Sequence, residues 1–235
     1  MLLLDVGNSR CKWALVQDGA WVRQGVAGNT EWAALRQTFS ALTPPGRILV
    51  SNVAGEAMAE RLRAVCAMWR CSLEFVTARA SQHGVSNGYA QPERLGSDRW
   101  AALIAAWRRV HGACLVVNCG TATTVDALSA QGEFLGGLIL PGVDLMRFVL
   151  HEHTGRLPLQ AGRFVEAPRN TVDAIESGCR HAQAGAVERM YRIAGKGAHC
   201  LVSGGAGPAL IEQLAIPCRY VENLVLEGLA RIAWS

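Results

Sequence analysis

No GxxxxGK[ST] stretch occurs in the 235 residues, which excludes the P-loop route to phosphate binding, and no GxSxG elbow marks a serine hydrolase. The eight cysteines contain no CxxC, and Cys66, Cys114, Cys119, Cys179 and Cys200 lie in apolar surroundings. That pattern reads as reduced, buried thiols in a cytoplasmic protein rather than as a disulfide framework. No leader is expected, because Asp5 interrupts the first apolar run and no basic segment precedes it. No apolar run reaches membrane-spanning length, so no membrane partner is expected. Net charge is only +4, with Lys and Arg scattered, and no basic stripe points to nucleic acid.

Half of the residues are apolar and 18% are charged, enough for a buried core in one large domain or two small ones. Two stretches echo each other. Leu2–Gly19 (LLLDVGNSRCKWALVQDG) aligns on Leu115–Gly132 (LVVNCGTATTVDALSAQG) at a constant offset of 113. Each reads as an apolar strand, a short polar turn around one glycine and a returning strand. Thr30 reads as the cap of a helix over 31–42. A strand follows at 48–53, a helix at 56–70 and a strand at 73–77, then a polar loop through Tyr89 and Pro92. Ser97 reads as the cap of a helix in which Trp100, Leu103, Ile104 and Trp107 share a face. The second half repeats the scheme, with helices at 143–150 and 171–194, a strand at 199–203, a helix at 208–215 and a last helix from Asn223. Alternating strands and helices in both halves predict α/β layers in two related domains, 1–110 and 111–235.

A glycine-tipped turn lets backbone N–H groups approach an anion closely. Gly7–Asn8–Ser9 and Gly120–Thr121–Ala122 are two such turns, and Asp5 ends the strand before the first, where it suits a divalent cation held through water. Either turn alone is an ordinary hairpin turn. The pair is what one polyphosphate would need. In LGSDRW, Asp98 falls in the first turn of a helix, as an ordinary helix-start residue or as an ionised carboxylate beside a substrate hydroxyl. Arg99 suits an acidic substrate group, a phosphate or a surface pair. SGGAG (Ser203–Gly207) fails the dinucleotide-binding spacing, since Leu210 stands where the third glycine belongs. His151-Glu152-His153 lacks the spacing of a zinc site.

Taken in order, these motifs resemble the type III pantothenate kinases, also labelled Bvg accessory factor-like. DVGNSRCKWA resembles their first phosphate motif, GYAQPERLGSDRW their pantothenate segment and NCGTATTVD their second phosphate motif. GGLILPGVDLM, Thr154–Pro158, NTVDAIESG and NLVLEGL continue the series to about residue 229. The resemblance implies two RNase H-like domains of the acetate kinase/hexokinase/Hsp70/actin (ASKHA) superfamily with an interdomain cleft. It implies ATP-dependent phosphorylation of pantothenate to 4'-phosphopantothenate, the first step of coenzyme A biosynthesis. By motif position, Asp98 is the proton acceptor, and Tyr89, Gly96, Ser97, Arg99 and Thr171 line the pantothenate site. Asp5, Val6, Gly7, Asn8, Ser9, Arg10, Cys11, Lys12, Gly120 and Thr121 serve ATP, with Mg²⁺ on the Asp5 side. A homodimer and a monovalent cation, potassium or ammonium, are also implied. The family usually has Asp where this chain has Asn118, a departure that removes a formal charge from the cation site. Other readings are the same fold acting on another small substrate, or a non-catalytic, nucleotide-binding regulator.

Overall fold

The computed structural model describes residues 1–234. They fall into two compact units: Met1–Ala105 joined by the chain from Leu224 onward, and Ala106–Asn223. The last helix, which sequence order gives to the second half, therefore belongs to the first unit, and the division comes five residues before the expected 110.

In the first unit, β1 (Leu2–Val6), β2 (Arg10–Gln17) and β3 (Ala20–Gly28) form an antiparallel meander. Helix α1 (Trp32–Ser40) leads to β4 (Arg47–Asn52), and α2 (Glu56–Cys66) leads to β5 (Ser72–Phe75), giving the order β3-β2-β1-β4-β5 with the last two joins parallel. Leu2, Leu3 and Leu4 are fully buried, because β1 is central and both faces are covered; hence an unbroken apolar run rather than an alternating one. Trp13, Phe39 and Trp69 pack in one core cluster, with the Phe39 ring centroid 5.6 Å from that of each tryptophan. Glu31, not Thr30, precedes α1, and its carboxylate accepts from the backbone N–H of Gly28 at 2.6 Å. A small hairpin, β6 (Ser81–Gln82) with β7 (Val85–Ser86), comes before α3 (Ser97–Val110), and Gln82 accepts from the indole N–H of the fully buried Trp100 at 3.1 Å.

The second unit repeats the plan. Strands β8 (Cys114–Cys119), β9 (Ala122–Leu128) and β10 (Phe134–Pro141) form the meander. Helices α4 (Val143–His153) and α5 (Thr171–Ala194) follow, then β11 (His199–Ser203), α6 (Gly207–Ile211) and β12 (Cys218–Tyr220). The sheet order β10-β9-β8-β11-β12 is that of the first unit, strand for strand. The internal echo is therefore structural, with one correction. Offset 113 carries β1 onto β8, but β2 starts at Arg10 and β9 at Ala122, an offset of 122 − 10 = 112. The second turn is one residue shorter. Gly7 N–H donates to the carbonyl of Arg10, whereas Gly120 N–H donates to that of Ala122, both at 3.0 Å.

The expected buried thiols are found: all eight cysteines are free, and burial pushes Cys11, Cys66, Cys114, Cys119 and Cys200 up to about 12, where they are unreactive. Among the described residues no helix is long and apolar enough to cross a membrane, and no cluster of His, Cys, Asp and Glu is arranged to hold a metal ion. His151 instead bonds the carbonyl of Leu157 through Nδ1 at 2.7 Å.

Helix α7 (Leu224–Ala233) returns to β1 and β4 and packs so closely on α3 that any Cβ at Gly228 would run into the carbonyl of Ala101. Gly228→Ala should lower stability by about 2–3 kcal/mol in urea unfolding. A change below about 0.5 kcal/mol, the range of an ordinary surface substitution, would show that the two helices do not meet there.

Candidate active site

The first unit brings two carboxylates together. Asp5 stands on β1 between Lys12 of β2 and Ser51 of β4 in the ladder. Ser51 is fully buried, and its hydroxyl lies 2.9 Å from that of Ser97, the first residue of α3. Ser97 is thus not the helix cap. Its side chain fastens the start of α3 to the sheet beside Asp5, and Asp98 is the next residue.

Electrostatics show the consequence. Burial pushes the Asp5 carboxyl from 3.8 to about 7; the charge of Asp98 adds to the rise and Lys12 opposes it. Asp98 is raised as well, chiefly by burial, against the backbone N–H of Arg99, which donates to Oδ1 at 2.7 Å, and the Arg99 charge. Two desolvated acids, one of which raises the other, are a costly arrangement for a fold and a useful one for chemistry. Oxygen donors of this kind suit a hard divalent cation, so the residues present fit magnesium on the Asp5 side.

Gly96 has a steric role, because a Cβ there would lie 2.7 Å from Asp98 Oδ1. Arg99 is not a surface residue: it is 6% exposed and donates to the Tyr89 hydroxyl at 3.0 Å. Asn87 shapes the loop before it, accepting from the Tyr89 N–H and donating to the Pro92 carbonyl, both at 3.0 Å. Tyr89, Gly96, Ser97, Asp98 and Arg99 therefore form one connected group.

The first turn sorts its residues. Val6 and Cys11 are buried and offer a ligand only backbone, whereas Asn8, Ser9 and Arg10 are exposed. Gly7 and Gly120 have ordinary negative φ, and a Cβ on either would make only normal contacts, 3.7 and 3.5 Å from the nearest atom. Nothing within the protein requires glycine at either turn. Close approach from outside is the remaining physical reason. Their own N–H groups are already spent inside the turns, however, so donors to an anion must come from the residues after them.

In the second unit, Asn118 stands between Thr124 and Ser203, the positions that Lys12 and Ser51 hold around Asp5. The whole constellation is uncharged there. The exposed Gly120–Thr121 tip is backed by Gly142, whose N–H donates to the Thr121 carbonyl at 2.8 Å and whose Cβ position lies against that turn. Thr171 opens α5 and, with Met146, Leu150 and Ile175, lines an apolar cavity of about 660 Å³.

The family model of type III pantothenate kinases matches residues 1–193. The type III pantothenate kinase of Aromatoleum aromaticum is 50% identical over 235 residues, spanning 99% of this chain and 97% of its own. The chain belongs to the type III pantothenate kinase family. Among solved structures, a conserved putative Baf family transcriptional activator from Campylobacter jejuni superposes with a TM-score of 0.66 at 22% identity, covering 100% of this chain and 98% of its own. A putative 2-dehydro-3-deoxygalactonokinase from Sinorhizobium meliloti does so at 0.60 and 15%, covering 99% and 97%. These likenesses show that the chain shares its fold with these two proteins over nearly its whole length.

Sequence reasoning about this family member missed Ser51 and Ser203. The signal was there: Leu49–Val50–Ser51 and Leu201–Val202–Ser203 repeat one tripeptide at the ends of equivalent strands.

Because the folded state holds the Asp5 proton to about pH 7 and the ordinary carboxyl loses it near 3.8, stability should fall as pH rises through that window. Asp5→Asn should remove the fall and stabilise the magnesium-free protein at pH 8 by on the order of 2–4 kcal/mol. A lower melting temperature for the variant at pH 8 would contradict this. Gly96→Ala should displace the Asp98 carboxylate and cut turnover about 10²-fold or more at nearly unchanged stability, read by comparing kcat with Tm.

Proposed function

We propose that the protein transfers the γ-phosphoryl group of ATP to the terminal hydroxyl of pantothenate, forming 4'-phosphopantothenate for coenzyme A synthesis. Family membership supports the reaction, and the fastening of Asp98 beside Asp5 is the observation that carries the mechanism. Asp98 orients the pantothenate hydroxyl and takes its proton as the oxygen attacks phosphorus. Its raised pKa strengthens it as a base once ionised. Arg99 and Tyr89 hold the acid's polar groups, with Gly96 leaving the carboxylate room to turn, and Thr171 contributes to the pantothenate site from α5.

The exposed residues of the first turn, with Lys12, and Gly120–Thr121 of the second are assigned to the ATP phosphates. Asp5 would hold Mg²⁺ through water, and the ion supplies charge neutralisation at the transferring group. Asn118 is the monovalent-cation ligand of this reading. Its amide oxygen coordinates without charge, and its ladder neighbours Thr124 and Ser203 add none, so affinity for potassium should be weak and ammonium should substitute well. A homodimer is part of the same reading, supported by the exposed Leu145, Phe148 and Val149 on α4, which lie three and four residues apart on one helix face.

A purely regulatory protein has no need of two desolvated acids. ADP release that depends on added pantothenate is the deciding assay, and its absence in potassium, ammonium and sodium alike would end the proposal. Asp98→Asn should cut kcat by about 10²–10⁴ while nucleotide binding persists. The wild-type acidic limb of kcat/KM should sit above the ordinary carboxylate range, in keeping with the raised Asp98; a limb near pH 4 would assign the proton acceptor elsewhere.

A further inference from the structure

Both glycine turns are anchored by a carboxamide that lies outside the motif. Asn29, the residue after β3, is 22 positions beyond Gly7, yet its Nδ2 donates to the Gly7 carbonyl at 2.7 Å. Its backbone N–H donates to the Ser9 carbonyl at 3.1 Å, so one residue holds the first turn at two points. Asn29 is itself fixed, since its carbonyl accepts from the indole N–H of Trp32 at 2.5 Å. Its Oδ1 is buried and accepts no hydrogen bond from another residue. An unpaired buried acceptor costs stability. The Nδ2 donor is the part that the turn uses.

In the second unit Gln183, midway along α5 and 3% exposed, donates through Nε2 to Thr123 Oγ1 at 2.8 Å and to the Pro141 carbonyl at 3.1 Å. Thr123 is the second residue of β9, the strand that leaves the second turn. Pro141 precedes Gly142, whose N–H holds the Thr121 carbonyl. One buried amide thus ties together both chain segments that frame the turn, and the buried residues that follow it on the helix, such as Ala184, Val187 and Met190, are apolar core.

We infer that Asn29 and Gln183 are positioning residues for phosphoryl transfer, each setting the place of one phosphate turn through its side-chain N–H. The inference rests on the assignment of those turns to ATP. Neither residue touches the reacting atoms. Both act on the backbone that does, and in a reaction won mainly by positioning, a displacement of about 1 Å costs on the order of 10²-fold. Core amides that served packing alone would move stability and leave ATP recognition unchanged.

The test uses the full chain with Asn29→Asp and Gln183→Glu, which keep shape and remove the donor, and Asn29→Ala and Gln183→Met as second variants. Each should lower kcat/KM for ATP by about tenfold or more, while KM for pantothenate stays within about twofold, and should weaken MgATP in calorimetric titration by a similar factor, as expected where one hydrogen bond to the turn is lost. Unchanged ATP parameters in a variant that folds would overturn the inference for that residue, including the case in which only Tm falls. Should the wild type bind MgATP yet release no pantothenate-dependent ADP, the proposed reaction fails, and the titrations still decide the role of the two amides. A wild type that binds no MgATP overturns both.

Discussion

The first unit depends on holding two carboxylates in one poorly solvated place. Asp5 and Asp98 lie 93 positions apart in sequence; the charge of Asp98 adds to the burial that raises Asp5, Lys12 opposes it there, and Arg99 together with backbone N–H groups opposes the burial of Asp98. The surrounding structure prevents the pair from relaxing. Apolar β1 is locked between β2 and β4, so Asp5 cannot withdraw. The Ser51–Ser97 hydroxyl pair holds the start of α3, and α7 presses on the same helix at Gly228, so Asp98 cannot swing away. The two acids are therefore held where their burial costs the fold stability.

Several residues that look unremarkable take their identity from this constraint. Gly96 is small because the Asp98 carboxylate occupies the space beside it, and Gly142 because the second turn's backbone does. Gly7 and Gly120 are a different case. Neither backbone strain nor a neighbour demands glycine there, and what remains is room for something outside the chain.

Much of the fold was legible because its signals are local. Helix α5 and strand β11 match the sequence reading residue for residue, since caps, apolar periodicity and glycines bound them. The repeated strand–turn–strand was also readable, and it became the repeated sheet order. The misses are matters of tertiary pairing. A gapless alignment of two hairpins cannot show that one turn is a residue shorter, because strand pairing is fixed by register rather than by residue identity. The return of α7 to the first unit has no local signature. Within the site, motif order picked out Asp5 and Asp98, but Ser51, Asn29 and Gln183 act through partners 46, 22 and 60 positions away and were invisible to spacing.

The two copies have diverged in charge more than in shape. At the same ladder position, one carries Asp5 flanked by Lys12 and Ser51, the other Asn118 flanked by Thr124 and Ser203. A duplicated turn under a purely structural demand has no reason to separate in this way, since either set satisfies the ladder. A demand for one charged and one neutral environment does explain it. Desolvated charges are expensive to duplicate, and a second buried acid at residue 118 would require its own compensating cation or base. The amide at residue 118 relaxes that requirement. Asn118 and the neutral Thr124 and Ser203 beside it are thus two halves of one change relative to Asp5, Lys12 and Ser51.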